Sequence, residues 1–278
     1  MSDVKDALLK NLNPEKAYKN LEFLNSPAAR PIRILCEYEE PRQRLAQHGI
    51  DDTVVFFGSA RTRPTEDVTP VLAAAKQAAA KDPNDAIAQR TLKQAERAMK
   101  LARYYDDARE LARRITEWSL QAPEERPYVI CSGGGPGIME AANRGAADVP
   151  GGRSVGLGIS LPFEEGVNPY VTPELAFEFH YFFTRKYWFL YLCKALVIFP
   201  GGFGTMDELF ETLTLVQTKK IKKPLPIILY GTEYWDAILN VQAMSDFGTI
   251  SPEDLDLVHR VDRIDEAFGI LTAEMTRG

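Results

Sequence analysis

The residues with the clearest capacity for chemistry lie in FPGGFGTMDE, positions 199 to 208. The apolar run ALVIF leads into these glycines and helix-forming sequence follows, so the segment reads as a strand end passing into a helix start. There the first N–H groups lack intrahelical partners and the helix dipole is positive. Such a loop is suited to an anion: Gly201, Gly202 and Gly204 let the backbone approach a phosphate, and Thr205 adds a hydroxyl donor. The same residues also satisfy a purely structural reading, a tight turn with Thr205 as N-cap and Glu208 at N3, the spacing of a capping box. Glu208 is then either a catalytic carboxylate or a cap.

CSGGGPGIMEAANRGA (131 to 146) repeats the strand-to-helix grammar, with Pro136 suited to a first helical turn and small residues allowing close packing. FFGSAR (56 to 61) adds Gly58 and Ser59 at a third strand end. No GK[ST] follows either cluster and neither fits G-x-G-x-x-G, so a Walker A loop and a dinucleotide fingerprint lose their support. Three glycine-bearing loops at the carboxyl ends of parallel strands nevertheless converge where open α/β sheets bind ligands, which predicts a nucleotide-sized site. In FHYFFTRKYWFLYL (179 to 192), Arg185 and Lys186 sit within an apolar, aromatic stretch. Burying that pair is costly unless it meets an anion or a carboxylate. Snorkelling to a rim or pairing at a subunit interface is the alternative. His180 reads as structural, and with His48 and His259 scattered, neither a metal site nor a Ser-His-Asp arrangement is indicated.

These residues need elements to position them. From about residue 53 the chain alternates β-rich runs with helical segments: TVVFFGSAR (53 to 61), PYVICSGGG (127 to 135), RSVGLGISL (153 to 161), ALVIFPGG (195 to 202) and PLPIILYG (224 to 231). Near-continuous apolar runs separated by helices predict buried strands of a parallel sheet, an α/β doubly wound fold. Helices are expected over 136–148, 184–194, 205–219, 234–246 and 264–276. An Ala-, Lys-, Gln- and Glu-rich stretch from about 69 to 120, broken at KDPND (81 to 85), predicts a helical hairpin inserted after the first strand. Residues 1 to 50 read as a helical extension with the amphipathic IRILCEYEEPRQRL (32 to 45), packed beside the sheet or a partner subunit, and residues 51 to 278 as one domain.

Composition bounds the rest. With 278 residues, 45% hydrophobic and 26% charged, the chain is neither disordered nor collagen-like. A net charge of −6 argues against a general nucleic-acid or anionic-membrane surface, while leaving room for one small anionic ligand. Cys36, Cys131 and Cys193 are far apart, against a disulfide framework. No apolar run resembles a signal peptide or reaches a membrane span, so a cytoplasmic protein is expected.

GGGPGIMEAA, followed by TRK and then PGGFGTMDE, resembles the Lonely Guy (LOG) family of phosphoribohydrolases, long mislabelled as lysine decarboxylases; the likeness covers about residues 51 to 248. LNSPAARPIRILCEYEEPRQRL together with FFGSAR is similar to a longer bacterial branch of it. The resemblance implies a Rossmann-like sheet and hydrolysis of the N-glycosidic bond of nucleoside 5′-monophosphates, such as AMP or cytokinin ribotides, to free base and ribose 5-phosphate. It implies no cofactor, a small-molecule nucleoside monophosphate as partner, and a homodimer or higher homo-oligomer. By position it implies Arg185 and Glu208 as the catalytic pair and Gly201, Gly202, Gly204 and Thr205 as the phosphate loop. Further substrate contacts implied are Gly58, Ser59, Gly133, Gly134, Met139, Lys186, Asp207 and Glu164 in LPFEEGVN. Where the family has Met-His before Arg-Lys this chain has Phe182-Phe183, which reshapes the base pocket, and its second helix-opening acid is Asp207 rather than Glu.

Those residue types suit the chemistry. Ribosyl cleavage passes through an oxocarbenium-like state, so a carboxylate stabilises developing charge and orients or deprotonates water. A guanidinium clamps a phosphate or holds that carboxylate in place. The alternative is a non-catalytic nucleotide or phosphorylated-cofactor carrier on the same fold, which needs the glycine loop but not both Arg185 and Glu208. A pyridoxal-phosphate decarboxylase finds no Ser-x-His-Lys signature.

Overall fold

Seven parallel strands form one sheet in the computed structural model, in the order β4-β3-β2-β1-β5-β6-β7. They are β1 (Thr53–Phe57), β2 (Val129–Ser132), β3 (Ser154–Ile159), β4 (Ala176–Phe179), β5 (Cys193–Ile198), β6 (Ile227–Tyr230) and β7 (His259–Val261). Val54 pairs with Ile130 on one side and Ala195 on the other, and Phe56 with Ser132 and Val197. The structure describes residues 14–122, 127–161 and 166–276. All five expected strands are present. The two unexpected ones, β4 and β7, are the sheet edges, short and carrying partly exposed or polar residues (Glu178; His259, Arg260), so neither shows an apolar run.

Both faces of the sheet are covered, which explains why its strands are apolar throughout. Val54 and Phe56 face one core with Tyr105, Leu111 and Ile115; Val55 and Phe57 face the other with Trp188 and Phe189. Each such side chain buried contributes roughly 1.5–3 kcal/mol.

The chain divides into two compact units, Met1–Gln43 and Arg44–Gly278. The first contains α1 (Leu21–Asn25), whose cap Asn20 accepts from the Phe23 N–H at 2.9 Å, and most of α2 (Arg30–Gln47). Residues 1 to 13 of the expected extension lie outside the described residues.

In the second unit the first crossover is the expected helical hairpin: α3 (Thr65–Lys81) and α4 (Ala86–Gln121). Asp85 starts α4 by accepting from the Ile87 and Ala88 N–H groups at 2.8 and 3.2 Å. On α4, Ala108, Leu111, Ala112 and Ile115 recur at three- and four-residue spacing and are fully buried, so this face joins the core. It crosses α5 (Ile138–Ala147) so closely that a Cβ on Gly145 would lie 2.1 Å from the Arg109 carbonyl oxygen.

The remaining helices are α6 (Phe182–Tyr191), α7 (Phe203–Gln217), α8 (Thr232–Ile238), α9 (Val241–Asp246) and α10 (Ile264–Met275). The single helix expected over 234–246 is therefore two, because Asn240 caps α9 by accepting from the Ala243 N–H at 3.0 Å. Pro136 stands before α5 rather than in its first turn, since Gly137 at φ +73° is the N-cap. Among the described residues no helix is long and apolar enough to cross a membrane.

The order reverses at β1, with β2 leading off to one side and β5 to the other. A crevice outside the carboxyl ends of the strands at such a point is where doubly wound sheets hold ligands.

Candidate active site

The loops leaving β1, β2 and β5 are tied together at that crevice. The Ser59 N–H donates to the Pro200 carbonyl at 3.0 Å, and the Ile138 N–H donates to the Ser59 carbonyl at 3.1 Å. This closeness requires glycine: a Cβ on Gly58 would lie 2.6 Å from Ile138, and one on Gly137 would lie 2.2 Å from the Ser59 carbonyl oxygen. The loops enclose an open cleft of about 930 Å³, in the range of small-molecule sites.

One wall is the start of α7. Its N-cap is Gly202, with no side-chain cap and no acid in the first turn. The capping-box alternative for this segment is thereby corrected: Thr205 and Glu208 are the third and sixth residues of α7, inside the helix, because the turn is made by the glycines themselves. Gly201 is needed for packing, as a Cβ there would lie 2.1 Å from the Thr205 hydroxyl. Gly202 and Gly204 meet nothing within 4 Å and face the open cleft. An uncapped helix start beside open space is an anion site in waiting. The Tyr234 hydroxyl donates to the Gly201 carbonyl and pins the loop from α8.

A second part of the wall carries Arg185, projected from α6. Its Nε donates to the Leu157 carbonyl at 2.7 Å, and its guanidinium carbon lies 5.0 Å from the Phe189 ring centroid. Gly133 and Met139 complete this wall; a Cβ on Gly133 would meet an Arg185 nitrogen at 2.6 Å and the Met139 sulfur at 2.7 Å.

Glu208 lies in the cleft wall, 6% exposed, and its Oε2 has no hydrogen-bond donor among the described residues. Burial pushes its carboxyl up to about 7. Lys186 and Arg185 pull it down, while Glu211 and Asp207 push it further up. A carboxyl poised near neutrality beside a guanidinium can exchange a proton with water and face a developing positive charge.

Of the other expected contacts, Asp207 and Ser59 line the cleft, whereas Gly134 and Lys186 do not. The Lys186 ammonium instead lies 2.9 Å from Asp207 and 2.7 Å from Glu211, on the α7 side. Burial depresses it, but its bonds to Glu211 and Asp207 outweigh that and raise it. Glu164 lies outside the described residues.

Several cleft residues carried no sequence signal. Leu101 reaches it from α4, Tyr234 and Ile238 from α8, and Phe203, 96% exposed, stands at the start of α7. Arg61 adds a second guanidinium beside Ser59; its position in FFGSAR was the available clue. Behind the second glycine loop, buried Asn143 accepts from the Ser132 hydroxyl at 2.7 Å and from the Asn168 amide at 2.9 Å. Asn168 also donates to the carbonyls of Gly134 and Gly135, at 2.9 and 3.1 Å, fixing the loop on which Arg185 rests. A smaller cleft of about 450 Å³ bears Arg260, already paired with Asp236. Among the described residues no group of three or more His, Cys, Asp or Glu side chains is placed to hold a metal.

The family model described as "Possible lysine decarboxylase" matches residues 139–271. The pyrimidine/purine nucleotide 5′-monophosphate nucleosidases of Escherichia coli strains K12 and O157:H7 are each 34% identical over 119 residues, 38% of this chain. The chain spans about a quarter of the length of these curated relatives, the match covering 25% of each. A solved molybdenum cofactor binding protein from Rippkaea orientalis aligns with a TM-score of 0.44 at 15% identity, covering 80% of this chain and 96% of that one. The stretch matched by that family model, residues 139–271, supplies both Arg185 and Glu208.

Proposed function

We propose that this chain hydrolyses the N-glycosidic bond of nucleoside 5′-monophosphates, with AMP or a cytokinin ribotide as substrate, to free base and ribose 5-phosphate. The observation that carries this reading is the buried Glu208 carboxyl beside Arg185, in the same cleft as the uncapped glycine start of α7. The likeness to nucleotide 5′-monophosphate nucleosidases supports it.

The 5′-phosphate sits against the N–H groups at the start of α7, with Ser59 and Arg61 on its far side. The ribose then lies along the helix toward Glu208. As the C1′–N bond breaks, the base leaves with its electron pair and takes a proton from solvent, and positive charge grows on the ribosyl carbon. The Glu208 carboxylate faces that charge and takes a proton from the water whose oxygen bonds to C1′. Arg185, with Lys186, favours the ionised form of Glu208 against its burial and holds the substrate in register, so phosphate binding serves the reacting centre. Among the described residues no lysine lines the cleft, so none there is placed to form the Schiff base a pyridoxal-phosphate decarboxylase needs.

Chromatographic product analysis across a panel of purine and pyrimidine monophosphates tests this. Adenine and ribose 5-phosphate from AMP are expected, with losses of about 10²–10⁴ in Glu208→Ala and Arg185→Ala. A folded protein that binds AMP and leaves it intact, or ignores the whole panel, overturns the reading.

We also propose self-association through α6. Phe183, Tyr187 and Tyr191 are exposed at four-residue spacing along it, and Tyr187 stacks on Tyr191 with ring centroids 5.1 Å apart. A second copy would cover such a row. Light scattering reads the outcome, and a monomer at all concentrations removes this part.

A further inference from the structure

Arg185 and Lys186 are adjacent on α6, yet they are used differently. Arg185 lines the cleft; Lys186 does not, and its ammonium is held 2.9 Å from Asp207 and 2.7 Å from Glu211. Those two acids bracket Glu208 on α7, one residue before it and three after. Glu208 itself is buried, with Oε2 lacking a donor among the described residues. The charged groups facing it are Lys186 and Arg185 from α6 and Glu211 and Asp207 from its own helix.

We propose that Lys186 is a positioning residue rather than a phosphate ligand: clasped by Asp207 and Glu211, it locks α6 to the start of α7 and supplies the positive charge beside the Glu208 carboxyl. This rests on Glu208 being the reacting carboxylate of the function proposed above. Three acids within one turn of a helix repel one another, and burial alone already favours a protonated Glu208. Lys186 is the largest influence in the other direction, ahead of Arg185. With the ammonium bonded to both flanking acids, its charge acts on Glu208 from outside the cleft.

The test titrates the Glu208 carboxyl by carbon-13 NMR in the full chain, assigned by its loss in Glu208→Gln. In Lys186→Gln the midpoint is expected to rise by about one pH unit or more, and in Lys186→Arg to stay near the parent value. Glu211→Gln, which removes a neighbouring negative charge, is expected to lower it, so an opposite shift remains available if Lys186→Gln does not fold. With AMP as substrate, the ascending limb of kcat/KM against pH moves with the midpoint in each variant, while KM for AMP and inhibition by inorganic phosphate do not change in Lys186→Gln. A midpoint unmoved in both Lys186→Gln and Glu211→Gln overturns the proposal. So does a raised KM with a fixed limb, the mark of a phosphate contact. The titration needs no turnover, so it judges Lys186 even if AMP proves not to be a substrate.

Discussion

Arg185 occupies the space that any side chain on Gly133 would need, since a Cβ built there lies 2.6 Å from a guanidinium nitrogen and 2.7 Å from the Met139 sulfur. The glycine loop after β2 is thus a seat for the arginine. Gly133→Ala is expected to displace the guanidinium and to lower kcat by about tenfold or more, because small misplacements of a catalytic group are costly. The fold is expected to survive, since Arg185 and Met139 are flexible chains able to yield. Steady-state kinetics with a parallel thermal melt check this; an active variant would show that Arg185 need not sit where it does.

If Glu208 is the reacting carboxylate proposed above, activity and stability have opposite dependences on pH. Its carboxyl titrates at about 7, against 4.5 when unperturbed, because burial disfavours the charge. Activity that needs the carboxylate rises as pH passes through about 7, and kcat/KM falls about tenfold per unit on the acid side. For stability, the folded state holds this proton more tightly than the unfolded chain. The favourable contribution is therefore complete below 4.5, is lost as pH rises to about 7, and stays lost above it. The difference amounts to roughly 3 kcal/mol. Glu208→Gln removes this loss, so it is expected to be inactive yet several degrees more heat-stable than the parent at pH about 8, with the gain vanishing near pH about 4. Melting curves across that range decide it, and a constant offset would show that burial does not govern this group.

Much of the fold was legible because it rests on periodicity and on two-sided burial. β1 and β5 are apolar at nearly every position since both faces meet helices, and a short run of that kind closed by a glycine-bearing turn fits few elements besides a buried strand. β4 was not legible: AFEF alternates over only four residues and Glu178 points to solvent, as an edge strand permits. Within the site, spacing located the glycine loops but not their work. Thr205 and Glu208 satisfy the capping-box pattern, and only the backbone shows that Gly202 ends the turn and frees the carboxyl for the cleft. Lys186 and Arg185 are neighbours in sequence, and which one faces the cleft depends on the rotation of α6. Leu101 lies far from every motif in sequence, and only the packing of α4 brings it to the cleft.

The three glycines of the α7 loop stand in two settings, Gly201 packed against Thr205 and Gly202 and Gly204 open. Gly201→Ala drives a methyl to 2.1 Å from the Thr205 hydroxyl, whereas alanine at Gly202 or Gly204 meets nothing within 4 Å. Gly201→Ala is accordingly expected to destabilise the protein, by about 1–3 kcal/mol as overpacking does. Gly202→Ala and Gly204→Ala are expected to melt near the parent temperature and to raise KM for the nucleotide, because their methyls occupy space the phosphate needs. Melting temperatures and KM values for the three variants test the pattern. Equal destabilisation by all three would mean that the open side of the loop is not where the ligand lies.

Asn143 shows how a residue without access to the cleft supports it. It is fully buried on α5, and its Oδ1 accepts from both Ser132 and Asn168, the second of which holds the carbonyls of Gly134 and Gly135. Leucine keeps the branched shape but is larger and has no acceptor, so Asn143→Leu crowds the site and removes the acceptor of the buried Ser132 hydroxyl and one acceptor of the Asn168 amide, at a cost of about 1–3 kcal/mol. Asn168, which holds the carbonyls of Gly134 and Gly135, is then less firmly placed, and the loop that seats Arg185 loosens. The expected result is a melting temperature lowered by several degrees together with a kcat reduced at unchanged KM for the phosphate-anchored substrate, since α7 is untouched. Ser132→Ala, which deletes one donor to Asn143 and the acceptor for the Gly134 N–H at 3.0 Å, is expected to act in the same direction but less strongly. A loss of stability in Asn143→Leu with kcat intact would restrict this network to a structural role and leave the glycine loop rigid by its own packing.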